Sequence, residues 1–193
     1  MEEAGSGGRG RIWVVIGVLV GLVAMGWLGL SNADGPLFIF QGGPFRSGEV
    51  VAYDALDWTR LDAKTELEME IVGAETSLTL WFSVTDGKPY VACDLDCEDG
   101  RLNRWPSLVR ADDRVVLRIE DKRVEGRLAY VPHATPEYAV VKADRDRKYS
   151  GAGGGRAAAE TAAHATVVEV GEALTGRAER AEPGDRVFRF DPR

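Results

Sequence analysis

From Ile12 to Leu30 the sequence IWVVIGVLVGLVAMGWLGL runs without a charge or a proline. As a helix it reaches about 28 Å at about 1.5 Å per residue, close to the thickness of a bilayer core. The run predicts one transmembrane helix over 12–30. Trp13 and Trp27 stand near its two ends, at the level where indole rings meet lipid headgroups. Gly17 and Gly21 form one GxxxG pair, a spacing that admits a second helix, although glycine is common in such helices in any case.

After this segment the period changes. Leu67, Met69 and Ile71 alternate with Glu66, Glu68 and Glu70, the pattern of a half-buried strand over Glu66–Val72. Leu78–Val84 is a more apolar strand. Asp86-Gly87 follows it and then Tyr90–Cys93, which predicts a hairpin. Trp105, Leu108 and Val109 fall at helical spacing within Arg104–Ala111, with Pro106 in the first turn, where its missing N–H is harmless. Val115–Ile119 and Val124–Val131 predict a second hairpin around Asp121-Lys122. Thr135 is a candidate N-cap before Pro136, opening a helix that runs to Lys148. Gly151–Gly155 breaks the pattern. The alanine-rich stretch Arg156–Ala165 reads as a short helix or a disordered insertion. Val187–Phe190 alternates as a closing strand after Pro183-Gly184.

Hairpins with short helices at the corners predict a mainly β domain built as a small closed or partly closed barrel, closure disposing of the sheet edges. The chain divides into a tail at 1–11, the helix at 12–30, and a linker at 31–48 punctuated by Gly35, Pro36, Gly42, Gly43, Pro44 and Gly48. A domain at 49–193 follows, with a flexible insertion near 150–182. Leu37–Phe40 interrupts the linker's polarity and is expected to pack on the domain or lie at the membrane surface.

Charge enters as a constraint on partners. The net charge is −7, and Glu2 and Glu3 cancel Arg9 and Arg11, so the excess belongs to the domain. An acidic domain lacks the clustered Lys and Arg that neutralise phosphates, which argues against nucleic acid and against anionic lipid. Arg9 and Arg11 precede the helix and no basic residue follows until Arg46, so the N-terminus is expected in the cytoplasm and the domain in the periplasm or outside the cell. Ser31-Asn32-Ala33 also resembles a cleavage site, but the apolar run exceeds the usual signal-peptide length.

The two cysteines, Cys93 and Cys97, have C-x3-C spacing with no second ligand pair, and His133 and His164 are far apart. That disfavours zinc and predicts no metal. Two readings stay open: a local disulfide in an oxidising compartment, or a buried thiol at 93 and an exposed one at 97.

The stretch from Leu80 to Gly126 carries more than periodicity. It reads LeuTrpPheSerVal, an Asp-Gly turn, TyrVal, a loop, ArgTrpPro, then AlaAspAspArgVal into the next hairpin. This resembles the FMN-binding split-barrel families of the pyridoxamine phosphate oxidases and the deazaflavin-dependent nitroreductases. Asp113 stands where those families have proline. The resemblance implies a six-stranded split β-barrel, often a homodimer, with FMN or a deazaflavin at the dimer groove. It matches Cys93 and Arg104, with Trp105 beside it, to the family's phosphate contacts; on an enzyme reading Trp81, Arg104 and Trp105 would supply ring packing and phosphate contact. Two departures weaken that assignment. Cys93 replaces a hydroxyl, and the turn Gly73–Ser77 has Glu75 where a basic residue is expected. The acidic loop Asp94–Asp99 adds further negative charge. Each aromatic also has an ordinary role as core. No Ser-His-Asp set, catalytic carboxylate pair or Walker-type loop is present. The expected function is a membrane-tethered barrel that acts as a cofactor-free or weakly binding scaffold or interaction module. The alternative is a flavin- or deazaflavin-dependent oxidoreductase.

Overall fold

The computed structural model describes residues 7–38, 40–93, 104–133, 135–149 and 186–193. The acidic loop at 94–99 and the insertion near 150–182 lie outside them, as does Cys97. The first element is α1 (Gly7–Ser31). Ile12, Trp13, Val14, Val15 and Ile16 are all exposed, and five consecutive positions exceed one helical turn, so the exposed apolar surface is not a single stripe. Over the described residues no helix is long and apolar enough to cross a membrane.

The rest is mainly β. Strand β1 (Glu49–Val50) precedes a turn at Tyr53–Ala55 and a short helix, α2 (Trp58–Leu61), capped by Asp57 accepting from the Arg60 amide. Strands β2 (Glu66–Ile71), β3 (Thr76–Thr85) and β4 (Lys88–Cys93) follow, then α3 (Trp105–Ala111). After them come β5 (Arg114–Ile119), β6 (Lys122–Val131), α4 (Pro136–Tyr149) and β7 (Arg186–Pro192). Around the barrel the order is β6-β5-β2-β3-β4-β7, and β7 pairs back on β6 to close it; every one of these pairings is antiparallel. Strand β1 adds to β6 in parallel.

Alternation explains the core. Leu67, Met69 and Ile71 of β2 face Leu78, Leu80 and Phe82 of β3 and Val115, Leu117 and Ile119 of β5 inside the barrel. Their glutamate neighbours face outward, as the period of two requires. Gly126 sits where β6 meets a large ring: a Cβ there would lie 2.3 Å from the Phe190 ring. Trp58 and Leu61 close the end near Phe190, and Trp105 and Val109 close the end near Phe188. Asp86 and Gly87 take φ of 50° and 72° in the β3–β4 turn. The β5–β6 turn falls one residue earlier than expected, at Glu120-Asp121, where φ is 49° and 59°. Thr135 caps α4, its Oγ1 accepting from the Tyr138 amide.

The segment from Asp34 to Gly48 is a strap laid on the barrel's outer face. Gly42 exchanges backbone hydrogen bonds with Ser77, 2.9 Å each way, and Ser77 Oγ donates to Gly43 O. Thr79 Oγ1 donates to Phe38 O, and Phe45 N donates to Glu70. Arg118 donates to Asp34 and Glu68 and lies over the Phe45 ring. Arg123 donates to the carbonyls of Phe45 and Gly48.

Candidate functional site

The β4 strand ends at Cys93, whose alternation turns it into the barrel with Val91. Cys93 is buried and disulfide-bonded, and the chain's only other cysteine is Cys97. A sulfur in a disulfide offers no S–H, so this position has no side-chain donor for a phosphate. Across the β4–β7 ladder Cys93 pairs with Arg186, which is also buried. Arg186 is the cation that the sequence did not single out, because the register joining two strands so far apart in sequence is invisible in either alone.

Arg104 stands at the N-cap of α3 with its side chain exposed, and its carbonyl accepts from Ser107 Oγ and from the amides of Ser107 and Leu108. Trp105, next to it, is 1% exposed and packs on Phe188 with ring centroids 5.0 Å apart. Phe188 in turn packs on Tyr130 at 5.6 Å. The Trp105 Nε1 finds no hydrogen-bond partner among the described residues. An indole this deep has no face left for a flavin ring. Cys93, Trp105 and Arg186 thus gather at one end of the barrel, with Arg104 on its rim.

Trp81 is not part of that group. It alternates with Leu80 and Phe82 and therefore points outward from β3, beneath α4. Its ring stacks on Tyr149 at 5.2 Å, and its Nε1 donates to Glu66. The Tyr149 hydroxyl donates to the carbonyls of Thr65 and Phe82. Lys148 Nζ donates to Asp62 and to Phe82 O, and burial pulls its pKa below the usual lysine value. A second outward cluster links Tyr90, Glu137, Arg189 and Asp191. Burial, then the Glu137 hydrogen bond, pushes the Tyr90 phenol up to about 12.

The turn matched to the family's basic phosphate loop lies at the α3 end. It runs through a helical turn at Val72–Ala74 to Glu75, at φ 49°. Facing it is a carboxylate: a Cβ on Gly73 would lie 2.5 Å from Asp112 Oδ2. Hydrogen bonds from Arg114 hold Asp112 down at about 2, so the Arg114 charge is already engaged. No group of His, Cys, Asp and Glu among the described residues is arranged to hold a metal ion.

No family model and no curated protein matches the chain. Among solved structures it is similar to an FAD-binding protein from Mesorhizobium loti. The two share 16% identity over 70% of this chain and 87% of that one, with a TM-score of 0.36. The closed six-stranded antiparallel barrel itself fits the split-barrel fold implied by the sequence resemblance.

Proposed function

We propose that this chain is a membrane-tethered barrel that serves as a cofactor-free interaction module rather than as a flavin enzyme. The observation that carries this reading is the disulfide at Cys93, which removes a donor from the matched phosphate position. The buried Trp105 and the carboxylate facing the Gly73 turn support it from the other two sides of the same end. A flavin phosphate carries close to two negative charges near neutral pH. Two unit charges about 4 Å apart interact by roughly 4 kcal/mol at a surface dielectric. An unpaired carboxylate there would offset one arginine contact; among the described residues Asp112 is spent on Arg114, and Arg104 is an exposed cation on the rim.

The tether reading rests on α1. A helix with apolar side chains exposed on every face needs an apolar surround, and the bilayer supplies one along its length. Arg9 and Arg11 ahead of it favour a cytoplasmic N-terminus and an exported domain. A disulfide at Cys93 agrees with an oxidising compartment.

Titration of the full chain in detergent with FMN, read by flavin fluorescence, tests the cofactor claim. No saturable quenching is expected at micromolar protein. Submicromolar binding that Arg104→Glu abolishes would favour the oxidoreductase and place its site at the α3 rim.

A further inference from the structure

One part of the strap holds its backbone on the barrel but leaves its apolar side chains uncovered. Leu37 and Phe40 exchange backbone hydrogen bonds of 3.1 and 3.0 Å, making a tight turn with Phe38 at φ 56°. Leu37 is 51% exposed, Phe38 83% and Phe40 56%. The same strap buries Phe45 to 6%, so its sequence is able to place a ring under cover. The turn is also held firmly. Thr79 bonds the Phe38 carbonyl, and a Cβ on Gly42 would lie 1.7 Å from Gly35 O, so the two arms of the strap touch. Asp34, at the base, accepts from the amides of Arg46 and Ser47 and from Arg118.

We infer that this turn is a second membrane contact, dipping Leu37, Phe38 and Phe40 into the headgroup and upper acyl region of the leaflet on the domain's side. The inference rests on the tether reading of α1. Phe38 is seven residues beyond Ser31, which limits its distance from the helix end to roughly 25 Å even if fully extended. The bend at Gly35, with φ 86°, and the Asp34–Gly43 bridge shorten that reach. On the tether reading of α1, an apolar turn fixed so close to the end of that helix meets lipid before it meets a soluble partner.

The surface behind the turn specifies the lipid. Phe38 borders a cleft of about 560 Å³ walled by Lys64 and Arg118 on one side of the charge balance and Glu66, Glu68, Glu120 and Asp121 on the other. Lys64 is paired with Glu120, and Arg118 with Asp34 and Glu68, so the wall keeps an acidic excess that gives no attraction to an anionic headgroup and leaves a zwitterionic one as the lipid expected. Binding then comes from apolar insertion and resists salt.

The test uses the full chain carrying Phe38→Cys, labelled without reductant so that the Cys93 disulfide stays closed, with an environment-sensitive fluorophore. It is reconstituted in phosphatidylcholine vesicles containing a nitroxide lipid. A parallel probe at Arg127→Cys, an exposed position on β6 beyond the strap's Arg123 contact, reports the bulk domain. Resistance to alkaline carbonate during vesicle flotation reports α1 separately. The expected result is carbonate-resistant protein whose residue-38 probe loses several-fold more fluorescence than the residue-127 probe, at low and high salt alike. Carbonate-resistant protein with an unquenched residue-38 probe overturns the second contact and leaves the tether standing. Protein stripped by carbonate overturns both. Quenching that appears only after phosphatidylglycerol is added overturns the zwitterionic assignment. A blue shift without nitroxide quenching means that the turn is covered by protein, which also overturns the proposal. A Phe40→Cys probe repeats the reading at a second position of the same turn.

Discussion

Two covers lie on the outside of the barrel, and they are attached by different forces. Helix α4 is attached by side chains. Val141, fully buried, and Tyr138 meet Tyr90, Ala92, Val131 and Val187 in a small second core. Thr85 bonds Asp144, and Tyr149 lies flat on Trp81. The strap is attached mainly by backbone: Gly42 to Ser77 in both directions, Gly43 O to Ser77 Oγ, Phe38 O to Thr79 Oγ1. Among the described residues its one large buried side chain is Phe45, beneath Arg118. A cover held by packing fails when a side chain is changed. A cover held by backbone fails when a Cβ blocks the approach. The exposed turn of the strap follows from this, because backbone bonds hold it without asking its side chains to pack.

The largest effect is expected at Val141→Asp, which places an unpaired carboxylate in the second core. It should cost about 4 kcal/mol in urea unfolding, enough to loosen α4 wholly. A loss near zero would mean that α4 does not pack as tightly as its burial indicates. Gly42→Ala comes next. The added Cβ meets the Gly35 carbonyl and the strap must move, at about 2 kcal/mol, with faster proteolytic cleavage between residues 34 and 48. Equal cleavage in both proteins would show that the strap is not held through that contact.

A smaller, pH-dependent effect belongs to Asp34. Hydrogen bonds from Ser47 and then from the Arg46 amide, with Arg118 nearby, hold its carboxyl well below the ordinary 3.8. A depressed carboxyl stabilises the fold in full above its unfolded value, and that stabilisation is lost as pH falls through the folded one. Amide protection of Ser47 is therefore expected to persist at pH 4 and fade below it, and Asp34→Asn should remove that dependence. Protection that fades with the same midpoint in Asp34→Asn would assign the transition to another group. The smallest change is expected at Arg60→Ala. Arg60 pairs with Glu120 on an open surface, where solvent screens the pair, so urea unfolding should be unchanged.

The same contrast explains what was legible in the sequence. Alternation at Leu67, Met69 and Ile71, the Asp86-Gly87 turn and the Thr135-Pro136 start of α4 are local signals, and each appears where its local chemistry puts it. The closed barrel needs β7 on β6, and only a closing strand signal at Val187–Phe190 pointed to it. The strap read as a linker because glycine and proline mark both free chain and chain that must approach another backbone closely. Helix α2 was missed because four residues offer no periodicity. At the candidate site, the outward direction of Trp81 was contained in the alternation with Leu80 and Phe82. The pairing of Cys93 with Arg186 was not, since register between strands so far apart depends on the whole barrel closing.

The measurement closest to the central claim is the visible absorption spectrum of the full chain, purified in mild detergent from membranes of cells supplied with riboflavin. A barrel whose Cys93, the position matched by resemblance to a phosphate contact, is in a disulfide and whose Trp105 is buried should come off the column colourless, with no flavin band and no flavin released on acid denaturation. A yellow protein that releases stoichiometric FMN or deazaflavin would contradict that claim and make the chain a flavin-binding barrel.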